Sequence, residues 1–299
     1  MKVVIAAAIR TPIAAFQGGF SSVKGSELGA VAIKSALQST GLEANEIDYV
    51  FMGNVLSAGM GQAPARQATI FAGLSEMTPA VTLNKMCGSG LEAIIQGARA
   101  VALGDAKVVV AGGMESMTNA PYLIPGARSG LRMGDKTLID SMIHDGLWDV
   151  YNHKHMGSCA ERCARDYEFS REAQDEFAIR SFRRAQEAIS DGSFAKEICP
   201  VEVTDRKGNV SVISEDEGPA RVDFDKLPGL RPAFEEGGTV TAANASSIND
   251  GAAALILTSE AYAQERGLPI LAQIKGYSSH ARAPEEFPVA PVDAMHKLF

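Results

Sequence analysis

Apolar runs of strand length alternate with helical patterns through the first 120 residues, and that alternation sets the fold class. "VVIAAAI" (3–9) is followed by a loop rich in Gly and Ser, then by the helical pattern "SELGAVAIKSALQSTG" (26–41), which ends at Gly41. "IDYVFMGNV" (47–55), "AVTL" (80–83) and "KVVVAGG" (107–113) read as further strands. Between the last two, Leu91, Ile94, Ile95, Ala98, Val101 and Ala102 recur at helical spacing, and Gly104 is the stop. Strands separated by helices predict an α/β fold, a sheet with helices on its faces.

Residues 117–245 read differently, with more charge, Gly and Pro. They hold one strong amphipathic helix after Ser170, whose apolar face is Ala178, Phe182, Ala185 and Ile189, stopped by Gly192. The region is expected to be a large insertion or cap. The α/β texture returns with "GAAALILTSEAYAQERG" (251–267), and "PILAQIKGYSSHA" (269–281) begins another strand. "PVDAMHKLF" reads as the first two turns of a helix that stops at Phe299 without a cap, so the chain is expected to end partway through an element.

Composition narrows the function classes. The net charge of −8 argues against a general nucleic-acid or anionic-membrane surface, so an anionic ligand must be met by a local basic patch. Four cysteines (87, 159, 163, 199) in 299 residues do not make a disulfide scaffold and fit a reducing, cytoplasmic compartment. The first apolar run is too short to span a bilayer and lacks the flanks of a signal peptide.

The stretch "NKMCGSGLEAI" (84–94) places Cys87 where a strand hands over to a helix. Free N–H groups and the dipole at a helix start favour negative charge, so a thiol there ionises more readily. Gly88 and Gly90 leave room for another molecule to approach. The pattern suits a nucleophile, and it equally suits a small buried residue filling a tight turn.

"NKMCGSGLEAI", "VVVAGGMESM" (108–117), "HMGSCAE" (155–161), "QDEFAIRS" (174–181) and "GTVTAANASSINDGAAALILTSE" (238–260) resemble, in the same order, the motifs of the thiolase family. The resemblance covers the whole chain. Within the family, "ARVDFDKLPGL" (220–230) and "EFPVAPVDA" (286–294) lean toward the acetyl-CoA acetyltransferase (acetoacetyl-CoA thiolase) branch rather than the degradative 3-ketoacyl-CoA branch. The resemblance implies that Cys87 is the acyl-accepting nucleophile, with its own N–H as half of an oxyanion hole and Gly88 and Gly90 beneath the thioester. It implies three further catalytic segments, Asn-Glu-Ala-Phe, Gly-His-Pro and Cys-Gly-Gly, none of which occurs within residues 1–299. The histidines at 144, 153, 155, 280 and 296 lie in other contexts. The chain is therefore expected to be C-terminally truncated and, taken alone, to show negligible turnover.

The resemblance also implies a CoA-binding role for the middle region. Leu147, His155 and Met156 match residues that line the pantetheine path, and Ser246 matches a serine that contacts it, with Ala242 packing beside. Arg128, Arg132 and Lys136, with Arg221 as a second candidate, are the basic groups available to the nucleotide end. His155, Cys159 and Cys163 fall on one side of a helix, but three ligands without a second cluster read as ordinary helix positions and no metal site is expected. "VVVAGG" lacks the G-x-G-x-x-G spacing, which removes nicotinamide binding. Some acetoacetyl-CoA thiolases hold potassium at this turn through backbone carbonyls, here those of Ala242, Ala243 and Ala245, but the assisting Tyr is replaced by Pro219.

The expected fold is the layered αβαβα arrangement of thiolases. Residues 1–116 and 246–268 form the first half, 117–245 an inserted CoA-binding loop domain, and 269–299 the opening of the second half. The expected reaction condenses two acetyl-CoA to acetoacetyl-CoA and CoA, or runs the reverse thiolysis, with no cofactor, since the CoA thioester is the substrate. The alternatives are a thiolase for longer 3-ketoacyl-CoA esters and a non-catalytic acyl-CoA-binding module. Partners are expected to be acetyl-CoA and acetoacetyl-CoA and a second copy, as a homodimer or homotetramer with "GQAPARQA" (61–68) in the contact, and neither nucleic acid nor membrane.

Overall fold

The computed structural model describes residues 1–205 and 207–299. In chain order its main elements begin with β1 (Val3–Arg10), α1 (Gly25–Thr40), β2 (Tyr49–Gly53), α2 (Pro64–Phe71), β3 (Ala80–Leu83), α3 (Ser89–Leu103) and β4 (Val108–Ser116). Then come α4 (Met156–Asp166), α5 (Arg171–Ser190), β5 (Val201–Thr204) and β6 (Val210–Ile213). The last are β7 (Asn249–Ser259), α6 (Glu260–Glu265), β8 (Ala272–Gln273) and α7 (Ala290–Leu298). Local chemistry sets several ends. The Glu27 carboxylate accepts the Lys24 N–H at 2.8 Å at the start of α1, and Gly41 closes that helix at φ 69°. Ser170 caps α5, its hydroxyl accepting the Ala173 N–H at 3.1 Å.

The chain divides into two compact units. The first comprises Met1–Met142, Phe194–Glu217 and Asn249–Lys275, and the second Ile143–Ser193, Gly218–Ile248 and Gly276–Phe299.

The first unit is built on a seven-stranded mixed sheet in the order β8–β1–β7–β4–β2–β3, with the short strand Ala14–Ala15 pairing beside β7. β2 runs parallel to β3 and β4, whereas β7 runs antiparallel to β4 and β1. Period-two alternation along β4 explains why helices cover both faces. Val108, Val110 and Met114 join Leu28 and Ile33 of α1 and Ala65 and Ala68 of α2 in one apolar cluster. Val109 and Ala111 turn the other way and join Ala98 and Val101 of α3 and Leu257 of β7.

Residues 194–217, inside the stretch that composition marks as different, pack with this sheet for an electrostatic reason. Arg10 at the end of β1 meets Glu197 at 2.6 Å and holds both oxygens of Asp216 at 2.8 and 3.0 Å. Asp216 also accepts the Ile13 N–H, while Glu217 accepts those of Ala15 and Gly19. The strand expected over 269–281 is shorter than its pattern, with only Ala272–Gln273 pairing against β1. Pro269, which has no N–H, precedes it and Gly276 follows it.

The second unit centres on α4 and α5. Its terminal segment is tied in by Glu285, whose carboxylate pairs with Lys154 at 3.0 Å and with Arg162. No helix of the described residues is long and apolar enough to cross a membrane.

Candidate active-site residues

Cys87 lies in the first unit, in the turn between β3 and α3, one residue before the helix N-cap Gly88. Hydrogen bonds fix this turn without using the thiol. The Ser89 hydroxyl accepts the Lys85 N–H at 2.8 Å and donates to the Met86 carbonyl at 2.6 Å. Met86, held at φ 48°, donates its N–H to Asn84 Oδ1 at 3.0 Å. A side chain other than Gly is uncommon at such a φ. The flanking charge is neutralised locally, because Lys85 Nζ sits 2.6 Å from Glu92 Oε2 and holds that carboxyl below the usual range.

The sheet brings the start of α3 very close. A Cβ on Gly53 would lie 2.6 Å from the Ser89 carbonyl carbon and 2.8 Å from the Gly90 nitrogen, so only glycine lets β2 pass there. Exposure bears on the reading of Cys87 as a buried filler. It is exposed and free, whereas Cys159 and Cys199 are buried and Cys163 is half-buried. Burial pushes the thiols of those three up, away from the reactive thiolate. A filler of a tight interior turn would not be exposed.

The second unit holds most of the residues that the resemblance implies for CoA. Met156, the first residue of α4, donates its N–H to the Leu147 carbonyl at 2.8 Å, so these two half-buried side chains leave adjoining backbone. His155 caps α4: its Nδ1 accepts the Gly157 N–H at 3.0 Å. That bond makes Nδ1 an acceptor and leaves the ring proton on Nε2. The ring stacks on Phe234 with centroids 4.9 Å apart, and burial lowers its pKa, so it is neutral at pH 7. Ala242, Ser246 and Arg221 are all exposed. Arg128, Arg132 and Lys136 lie on an exposed run of the first unit.

The Thr239–Ser246 segment is heavily bonded. The Thr241 hydroxyl accepts the N–H groups of Ala243 and Asn244 at 3.3 Å each, and the Asn244 amide oxygen accepts the Thr241 N–H at 2.7 Å. Pro219, where the resemblance expects a Tyr, offers no hydroxyl, and its carbonyl accepts from Gln186 Nε2 at 2.7 Å. The residues present therefore do not fit the full potassium site.

Sequence reasoning missed the groups that hold this segment. Glu161 of α4 is 2% exposed, and Asp175 of α5 is 7% exposed. A Glu or Asp on a helix normally reads as a solvated face, so nothing in the pattern marks Glu161, and the four-residue spacing from Arg171 marks Asp175 only as one half of a surface pair. Asn244 had a signal, because Asn in a turn bonds its own backbone.

The sequence profile of the thiolase N-terminal domain matches residues 3–261. An acetyl-CoA acetyltransferase of Cupriavidus necator is 50% identical over 293 residues, covering 98% of this chain and 75% of that protein. Acetyl-CoA acetyltransferase 2 of Arabidopsis thaliana is 48% identical, covering 99% of this chain and 74% of its own length. Among solved structures, the Acat5 thiolase of Ascaris suum in complex with coenzyme A superposes with a TM-score of 0.93 at 41% identity. That match covers 99% of this chain and 76% of the other. The Bacillus anthracis acetyl-CoA acetyltransferase gives a TM-score of 0.96 at 38% identity, covering 99% of this chain and 75% of the other. The chain belongs to the thiolase family.

Proposed function

We propose that this protein is an acetyl-CoA C-acetyltransferase in which Cys87 carries the acetyl group. The Cys87 thiolate attacks the acetyl-CoA carbonyl carbon, a new C–S bond forms, and the bond to CoA breaks, releasing CoA as a thiolate that takes up a proton. The methyl group of a second acetyl-CoA then gives up a proton, and its carbanion attacks the acetyl-enzyme carbonyl. A C–C bond forms, the Cys87 C–S bond breaks, and acetoacetyl-CoA leaves. Developing negative charge on the carbonyl oxygen calls for N–H donors, and the Cys87 N–H is assigned as one. Leu147, His155, Met156, Ala242 and Ser246 are assigned to the pantetheine arm, with Arg221 toward the nucleotide. CoA is the leaving group and substrate, and no separate cofactor is assigned.

The observation that carries this reading is the exposure of Cys87 alone among the four cysteines, at a helix start backed by glycine. Relatives named acetyl-CoA acetyltransferase near 50% identity over nearly the whole chain support the acetyl group as the cargo. A cytoplasmic location is supported by the four free cysteines, and self-association by β3, which ends the sheet among the described residues.

The test is Cys87→Ala in the chain extended by a thiolase C-terminal segment, which supplies the Asn-Glu-Ala-Phe, Gly-His-Pro and Cys-Gly-Gly motifs. Loss of the nucleophile is expected to lower acetoacetyl-CoA cleavage by about 10⁴-fold or more. In the folded wild type, brief iodoacetamide treatment followed by mass spectrometry should alkylate Cys87 ahead of Cys159, Cys163 and Cys199. Near-normal turnover in the variant, or equal labelling at all four positions, sinks the assignment.

A further inference from the structure

We propose that Glu161 and Asp175 are positioning residues that set the Ala242–Ser246 turn for CoA without touching it, a role that rests on the reading of that turn as a CoA contact. Glu161 ends a chain of four hydrogen bonds from one short segment. Its carboxylate accepts the Thr239 N–H at 2.9 Å on both oxygens, the Val240 N–H at 2.7 Å and the Thr239 hydroxyl at 3.1 Å. The partners are backbone and hydroxyl donors, which fix direction as well as distance. Because Glu161 stands on α4, whose first residue is Met156, one carboxylate joins the helix behind Met156 to the Thr239–Val240 segment that leads into the turn.

Asp175 holds the other end. Its Oδ1 accepts from Asn244 Nδ2 at 2.9 Å, and the same amide nitrogen donates to the Thr239 carbonyl at 3.0 Å. Its Oδ2 pairs with Arg171 at 2.7 Å, and Arg171 donates onward to the carbonyls of Leu227 and Leu230 at 3.2 and 3.0 Å. Asn244 lies two residues before Ser246, so the turn is clamped on both sides of Ala242. A rigid turn spares the ordering cost that CoA would otherwise have to meet on binding.

The experiment measures CoA affinity by calorimetry in the enzyme with Glu161→Gln, Asp175→Asn, Ser246→Ala and the pair Glu161→Gln/Ser246→Ala. Gln keeps the shape of Glu161 but turns one acceptor into a donor, and about tenfold weaker CoA binding is expected from a lost charge-assisted bond. Asp175→Asn should weaken binding by about threefold, since the amide oxygen still accepts from Asn244. In the Ser246→Ala background the Glu161→Gln factor should shrink, because the Ser246 contact, one of those through which Glu161 acts, is gone. A merely structural carboxylate would give the same factor in both backgrounds, and that result overturns the proposal. Unchanged affinity in Glu161→Gln also overturns it. If that variant does not fold, Thr239→Val removes one of the four bonds, together with the one the same hydroxyl accepts from Gln174 Nε2 at 2.9 Å, with little change of volume. It should weaken binding about threefold, and wild-type affinity there counts as failure. Wild-type affinity in Ser246→Ala would instead remove the reading of the turn as a CoA contact, and the positioning role with it.

Discussion

The two units weight their stable interiors differently, although the sheet unit also buries the Asp250 carboxylate, which accepts the Thr118 N–H at 3.0 Å. In the sheet unit, Val108, Val110, Leu28, Ile33, Ile256 and Leu257 are fully buried, and α1, α2 and α3 enclose two apolar clusters. In the second unit the most buried side chains include Leu227 and Cys159, but also the carboxylates Glu161 and Asp175. Apolar burial is nondirectional and tolerates repacking at constant volume, whereas buried carboxylates demand their partners at fixed positions. The sheet gives the Cys87 turn a firm base, as the proposed nucleophile would need. The carboxylates aim the backbone of the 239–246 segment, as the proposed contact with CoA would need.

The largest expected effect tests the first half of that contrast. Gly53→Ala would place a methyl group 2.6 Å from backbone of Ser89, and neither strand nor helix start can give way cheaply. It should destabilise the protein by about 3 kcal/mol, roughly a hundredfold in the folding equilibrium, read by urea titration. Gly157→Ala in the second unit meets a side chain rather than backbone, the Phe234 ring at 2.3 Å, which must shift together with its stacking on His155. Its loss should be about half as large. Equal losses at the two positions would erase the distinction between a backbone-limited and a side-chain-limited contact.

Legibility in the sequence follows the same divide. Period-two and helical apolar patterns reflect burial directly, so β2, β3, β4, α1 and α3 stand within a few residues of where the sequence puts them. The position of Cys87 at a strand–helix junction was legible for the same reason. Its exposure was not, because exposure depends on what the rest of the chain leaves uncovered. Arg10, Asp216 and Glu161 carried no local mark, because each takes partners far along the chain, 206 residues apart for Arg10 and Asp216. Asp175 had a partial one in its four-residue spacing from Arg171, but its bond to Asn244 had none.

A smaller effect is expected from Met156→Glu, which probes the apolar wall of the second unit rather than its polar clamp. A carboxylate beside the pantetheine arm loses solvation when CoA binds, so the dissociation constant should rise about tenfold. The backbone bond from residue 156 to Leu147 survives the substitution, so stability should change little. Unchanged CoA affinity would detach Met156 from the path and leave the carboxylate-held turn as the only support for it.

The smallest expected effect is a pH dependence of stability from His155. Burial lowers its pKa in the folded protein below the ordinary value of 6.5. Well above pH 6.5 the ring is neutral in both folded and unfolded chains, and the cap that Nδ1 provides to Gly157 is intact. As pH falls below 6.5, the unfolded chain takes up a proton that the folded ring resists, so stability declines. The decline levels off once pH passes the folded value, where both states are protonated. His155→Asn keeps a side-chain acceptor at the N-cap and removes the titration. Thermal unfolding followed from pH 7.5 to pH 5 should therefore fall more steeply in wild type than in the variant, by roughly the share of one histidine. Parallel curves would mean that the cap of α4 does not report protonation, and that this end of the second unit is held by its ring stack on Phe234 instead.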